Sequence, residues 1–382
     1  MIKDKWTKKL TTLAIAIGAS TLAEAKPIIE NINFNAGTDA SISGEGFGPG
    51  PNIVLYDDFE AAEIANGKLE LNPKIGEWYQ VSSSNPVIYA DQEINQSLFV
   101  RGKGDASLNF GVKSIDGPYG LKPFTEIYFS YSVRDLGDFP GTGGTESSFS
   151  TVSSTKDAWM MFGARGDNLA YSASQGQPAG HDLYIPAWTG NGFNIAGNTT
   201  KLSPTFWQHE LTKNWAFLNW NTTFFHGKIN NNDPYGAADG FFGFVNVNKF
   251  HINERIGNLI QDNSSEGLTH AYWDRIKFFA WMNEGDADVE RILDNIYIAI
   301  GPNANARVIV TNAPTLEKSS KLIHLPVNEW GQEKISVEIP KYILESKNET
   351  HYIFVIDSRN QQSDPVKICN DCPVAPKLEL IN

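Results

Sequence analysis

The chain holds only two cysteines, Cys369 and Cys372, in the run Ile-Cys-Asn-Asp-Cys-Pro. With no other Cys and no nearby His, this C-x-x-C spacing lacks the remaining ligands for a metal site. In an oxidising compartment the pair reads as a local disulfide pinning the tail, 369–382. Basic residues are outnumbered: the formal net charge of −13 argues against nucleic acid or an anionic membrane surface as the main partner, since both demand a basic footprint. No segment beyond the N-terminal region is apolar for long enough to cross a bilayer, so no membrane span is expected. Between 53 and 302 no amphipathic-helix pattern occurs either. The 41% hydrophobic content excludes a disordered chain, and 382 residues allow two or three domains.

The first residues carry Lys3, Lys5, Lys8 and Lys9, followed by an apolar run from Leu10 to Leu22 and by Ala23-Glu24-Ala25. A basic start, an apolar stretch too short to span and an A-x-A site predict a secretory signal peptide over 1–25. The mature protein is then expected to be secreted, either periplasmic or extracellular.

Short alternating runs separated by Gly, Asn, Asp and Pro predict an all-β protein. Glu126–Arg134, Ala158–Gly163, Phe206–Leu211, Gly240–Val247, Ala271–Met282 and Ile292–Ile300 all have strand length. The phrase Ala40-Ser-Ile-Ser-Gly-Glu-Gly-Phe-Gly48 resembles the start of an IPT/TIG domain, an immunoglobulin-like sandwich. Trp330, the alternating strand Ile335–Pro340 and the apolar run Tyr352–Ile356 follow the order of that family. The resemblance implies a discontinuous domain made of 26–52 and 303–368. The insert, 53–302, opens with Tyr56-Asp-Asp-Phe-Glu60 and closes with Leu293-Asp-Asn-Ile-Tyr-Ile-Ala299, which resemble the first and last strands of concanavalin-A-like (laminin-G-like) jelly rolls in secreted carbohydrate-active proteins. The expected architecture is therefore an antiparallel jelly-roll sandwich inserted into a smaller discontinuous immunoglobulin-like sandwich. Ser43–Glu60 is the seam.

In Tyr272–Met282 a period of two places Trp273, Arg275, Lys277, Phe279 and Trp281 on one face. Flat rings stack on the apolar faces of sugars, and cations pair with uronate or sulfate groups. In Glu126–Arg134, Tyr128, Ser130, Ser132 and Arg134 form a polar face that would join the first on a concave sheet. Tyr128, Arg134, Trp273, Arg275, Lys277 and Trp281 are thus the candidate ligand-binding residues, with a polysaccharide or cell-surface glycan as the partner.

Catalysis is an open alternative. A polysaccharide lyase needs a carboxylate neutraliser and a base to take a proton by β-elimination. Arg134 and Arg275 are candidates for the first, and His209, His226, His251, His270, Tyr128 and Tyr272 for the second, with nothing in their spacing selecting one. A structural or adhesive role without catalysis is the third reading. The acidic string Glu284–Glu290 fails the alternation that a retaining glycosidase needs, because the position three after Asp286 is Val289. Jelly rolls of this kind often hold a structural calcium near the first and last strands. The resemblance therefore implies Ca2+ on Asp57, Asp58 and Asp294, with the Asn230–Asp239 loop as a second oxygen-rich stretch.

Overall fold

The computed structural model describes residues 25–35, 37–66, 68–78, 80–82, 86–89, 96–102, 107–110, 124–136, 154–162, 182–188, 193–198, 216, 218–229, 238–248, 250–255, 273–283, 289–345 and 349–368; for those lying in 68, 80–89, 99–110, 135–198, 229–239 and 253–291 it describes the backbone alone. The segment 1–24, Cys369, Cys372 and most of the acidic string and of the Asn230–Asp239 loop lie outside these residues.

Strands dominate, and among the described residues every strand pairing is antiparallel. Among the described residues a short α-helix, Lys341–Glu345, interrupts them. Among these residues no helix is long and apolar enough to cross a membrane.

A small sandwich is built from the two ends of the chain. Its first sheet runs Ile28–Phe34, Asp39–Glu45, Lys334–Glu338, Val327–Trp330. Its second runs Leu322–His324, Arg307–Thr311, His351–Ile356, Val366–Ile368. Asp39–Glu45 buries alternate residues, and Ala40 and Ile42 enter one core with Phe47, Val308, Val310, Ile335, Val337, Ile353 and Val355. Residues nearly 300 positions apart thereby share one apolar layer, with Ile42 paired to Ile335.

The larger body has an eight-stranded sheet, whose path includes Phe250–Arg255, Ala238–Asn246, Trp220–Ile229, Glu126–Leu136 and Val289–Ile300, and a six-stranded sheet centred on Ser154–Phe162 and Trp273–Asn283. The axis of the first is Val289–Ile300. One side of it pairs with Glu126–Leu136, and the other changes partner from Ser97–Gly102 to Asn52–Asp57 along its length. Within this pairing Ile53 lies opposite Ala299 and Asn52 opposite Ile300.

At the change of partner the strand carries a bulge. Tyr297 pairs with Ser130 but Asp294 with Ser132, so Asn295 and Ile296 together oppose Tyr131. Asn295 takes a left-handed φ of 50°, which Asn tolerates better than most residues. Tyr56, Tyr128, Phe224, Phe241 and Tyr297 of the large sheet pack with Ile309, Leu322, Phe354 and Ile356 of the small sandwich in one buried cluster. The two bodies are therefore joined through a core.

Candidate functional site

Glu126–Leu136 is buried on both faces: Ile127, Phe129, Tyr131 and Val133 on one, Tyr128, Ser130 and Ser132 on the other. The second face, expected to be open and polar, lies under the small sandwich. Tyr128 is 1% exposed, and its hydroxyl lies 2.7 Å from His324 Nε2. The Arg307 guanidinium stands 4.5 Å over its ring. Burial pushes the Tyr128 hydroxyl up to about 12, against the opposing pull of Arg307. Tyr128 thus belongs to the joint between the sandwiches and not to an open ligand-binding face. The same burial and pKa remove it as a lyase base.

Where that face emerges from cover, Arg134 lines a cleft of about 690 Å³ between the bodies. Its Nε donates to the Leu218 carbonyl at 3.0 Å, which orients the guanidinium. Trp220, half-buried, lies in the same wall with Asn219 and the bonded hydroxyls of Ser132 and Thr222, 2.9 Å apart. The small sandwich supplies the opposite wall through Asn312, Ser320, Lys321 and Tyr342. Asn312 is held by its own turn: its Oδ1 accepts from Ser320 N and Lys321 N, and its Nδ2 donates to Ser320 Oγ. The Lys321 ammonium sits 5.3 Å over the Tyr342 ring and 3.8 Å from the exposed Glu349 carboxylate. Two aromatic rings, two cations and several oriented amides and hydroxyls in one concavity are the chemistry that suits a polyhydroxylated, anionic ligand.

The remaining expected residues divide. Trp273, Arg275, Lys277 and Trp281 lie in the strand Trp273–Asn283, of which the backbone is described and the side chains are not. That strand belongs to the six-stranded sheet and Arg134 to the eight-stranded one, so the two sets do not share a sheet face as expected. His209, His270 and Tyr272 lie outside the described residues. His226 is tied to Glu126 Oε1 at 3.2 Å, with Lys228 3.1 Å from the other carboxylate oxygen, and His251 stacks on Phe244 at 4.5 Å. Both serve the packing of the sheet.

Asp57, Asp58 and Asp294 are all buried near the strand crossing. Asp57 accepts from Trp78 Nε1 at 2.6 Å and from Phe59 N at 2.8 Å; burial still raises its pKa to about 6. Asp294 accepts from Asn295 N at 2.7 Å and Ser97 Oγ at 3.3 Å, and burial, with Asp58 and Glu60 adding like charge, pushes its pKa well above the usual carboxylate range. Asp58 pairs with the Lys74 ammonium at 2.7 Å. Among the described residues no group of three His, Cys, Asp or Glu side chains is arranged to hold a metal. This donor set fits a lysine and backbone N–H groups, and does not fit the calcium expected on these three aspartates. Asp58, Glu60, Lys74, Asp294 and Glu338 line a separate cavity of about 230 Å³, divided from the large cleft by Asn295 and Tyr342, which line both.

No family model matches the sequence, and no curated protein matches it. Among solved structures the chain is similar to alginate lyase vAL-1 from Chlorella virus, at 12% identity and a TM-score of 0.36 over 56% of this chain and 88% of that one. It is also similar to domain 4 of AbnA, a GH43 extracellular arabinanase from Geobacillus stearothermophilus, in complex with arabinotriose, at 11% identity and a TM-score of 0.35 over 66% and 94%. A third is lectin UEA-II complexed with galactose, at 12% identity and a TM-score of 0.27 over 65% and 93%.

Proposed function

We propose that this protein binds a polysaccharide or cell-surface glycan, outside the cytoplasm, in the cleft between its two sandwiches. The reading takes the small sandwich, 26–52 and 303–368, as an IPT/TIG-like domain and 53–302 as its jelly-roll insert. The observation that carries it is the cleft itself: Trp220 beside Arg134 on one wall and Lys321 on the other, among amides and hydroxyls held in place by their own hydrogen bonds. Pre-oriented polar groups cost little to order when a ligand arrives, which favours binding of a flexible, hydroxyl-rich chain. The strand Trp273–Asn283, which carries Trp273, Arg275, Lys277 and Trp281, is proposed as a second, separate contact on the other sheet; its pairing with Ser154–Phe162 shifts register twice, so the unbroken alternation expected over these four residues does not hold.

Affinity electrophoresis through gels containing acidic or neutral polysaccharides tests the reading. The protein is expected to be retarded by at least one of them, and Trp220→Ala or Lys321→Gln to lose at least half of that retardation. Unchanged mobility in every gel overturns glycan binding; retardation that both variants keep in full removes it from this cleft.

A further inference from the structure

Among the described residues Arg307 is a cation with no anion in ion-pairing distance. The residue is 5% exposed, in the joint between the sandwiches. Its hydrogen bonds go to the Asn305 carbonyl, to Asn305 Oδ1 at 2.7 Å and to Asn360 Oδ1 at 2.9 Å, all neutral acceptors. A guanidinium carries five N–H donors, so this set leaves some unused. Among the described residues no carboxylate lies within ion-pairing distance of it; Asp357, which it feels only as a more distant charge, is paired with Arg359 at 2.7 Å. The rings of Tyr128 at 4.5 Å and Phe241 at 6.0 Å offset part of the charge through their electron-rich faces. A buried charge without a full counter-charge is costly, and a protein carrying one is expected to neutralise it or recruit a partner.

A cavity of about 50 Å³ opens beside this guanidinium. A buried water occupies about 10–15 Å³ of such space, so the cavity suits one small ion with a water or two and no saccharide. Phe250 and Leu316 give it apolar walls, and Asn360 and Gln362 line it with amides. Asn360 spends its oxygen on Arg307, which leaves its NH2 as a donor. Asn360 also holds a left-handed φ of 65°, so its placement is built into the turn. Gln362 is anchored by a backbone bridge to Ile356 in the adjoining strand. Guanidinium and amide N–H groups around a small space with apolar walls are the donor chemistry that recognises a weakly hydrated monovalent anion.

We propose that this cavity is an anion site that takes one chloride-sized monovalent ion on Arg307, Asn360 and Gln362, and that the ion helps to lock the two sandwiches together. It stands apart from the glycan cleft and does not depend on that reading. Thermal unfolding of the full chain in sodium chloride and in sodium cyclohexanesulfonate at matched ionic strength tests it, because cyclohexanesulfonate is too large to enter and carries no hydroxyls for the glycan cleft. The expected result is a Tm that is higher in chloride and saturates with its concentration. In Gln362→Glu, a half-buried position, the new carboxylate supplies the counter-charge itself, so the chloride dependence is expected to vanish. Crystals soaked in sodium bromide are expected to show an anomalous peak within hydrogen-bonding distance of Arg307. Equal Tm values in the two salts, a chloride dependence that Gln362→Glu leaves intact, or no bromide at Arg307 would overturn the proposal.

Discussion

The Tyr128 hydroxyl and His324 Nε2, 2.7 Å apart, belong to different sandwiches and meet in the buried layer that joins them. Burial, reinforced by the Arg307 charge, holds His324 well below the usual imidazole range, so the ring is neutral. The phenol can donate to or accept from Nε2, so the contact suits a neutral ring in either tautomer. What protonation adds is a second buried charge next to Arg307, and that is what destabilises the joint.

Acid should weaken this joint. The folded pKa of His324 lies below its unfolded value of about 6.5, so the unfolded chain binds more protons. The stabilising contribution is complete above about pH 6.5 and is lost as pH falls below it toward the folded pKa. His226, also lowered by burial, acts in the same direction, while Asp57, raised to about 6, acts in the opposite one. The informative quantity is thus the difference from His324→Gln, whose side-chain oxygen can still accept from Tyr128. Urea midpoints at pH 7.5 and pH 5 should fall less in the variant than in the parent. Parallel pH dependences would remove His324 from the account.

Asp294 should gain from losing its charge. Its folded pKa is raised, so ionisation costs stability as pH climbs from about 4, the unfolded value, toward the folded one. Asn keeps the shape, and its oxygen can still accept from Asn295 N. Asp294→Asn is expected to be more stable than the parent at pH 8 and to lose that advantage near pH 4. Denaturant titrations at the two pH values check it, and a variant less stable than the parent at pH 8 would contradict the argument.

Strands with clean alternation were legible in advance: Ile335, Val337 and Ile339 are buried, and the run read over Ile335–Pro340 is the strand Lys334–Glu338. Glu126–Arg134 is likewise a strand, Glu126–Leu136. What alternation cannot say is what stands opposite a face. Tyr128, Ser130 and Ser132 are compatible with solvent by composition, yet the small sandwich covers them. Trp220–Ile229 was missed because its buried polar run, Asn221, Thr222 and Thr223, looks like a loop. Tertiary hydrogen bonds make that run a strand: Thr222 bonds to Ser132, and Thr223 donates to the Tyr131 carbonyl. The cleft joins Arg134 and Trp220 to Asn312 and Lys321, some 90 positions or more further along the chain, and no local pattern reports that convergence.

Gly50 should not tolerate a side chain. A Cβ there would lie 2.3 Å from Trp330 Cγ and 2.5 Å from Trp330 Cβ. These atoms are at the root of the indole, which is also tied by Nε1 donating to the Gly48 carbonyl at 3.1 Å, so rotation of the ring does not relieve the clash. Gly50→Ala is expected to lower stability by about 1–3 kcal/mol, the usual range for overpacking. Calorimetry of the two proteins measures it; an unchanged Tm would mean that the Gly48–Gly50 turn moves freely.

Lys74 is the cation that bridges two carboxylates of the acidic cavity, and its removal should make the protein responsive to calcium. Its ammonium lies 2.7 Å from Asp58, near the strand crossing, and 2.6 Å from Glu338, on the small sandwich. Lys74→Met leaves the Asp58 carboxylate, 7% exposed, without its partner. Breaking one side of a fully buried pair costs about 3–5 kcal/mol; with Lys74 and Glu338 partly exposed, a loss of about 1–3 kcal/mol is expected. In the parent the carboxylates already have protein donors, so a chelator should leave Tm unchanged and added calcium should not raise it. In Lys74→Met the freed oxygens of Asp58 and Glu338, with Glu60 lining the same cavity, become hard-oxygen ligands, and millimolar calcium should recover part of the lost stability. A parent protein that calcium stabilises, or a Lys74→Met variant indifferent to it, would show that the lysine does not hold the place of a metal.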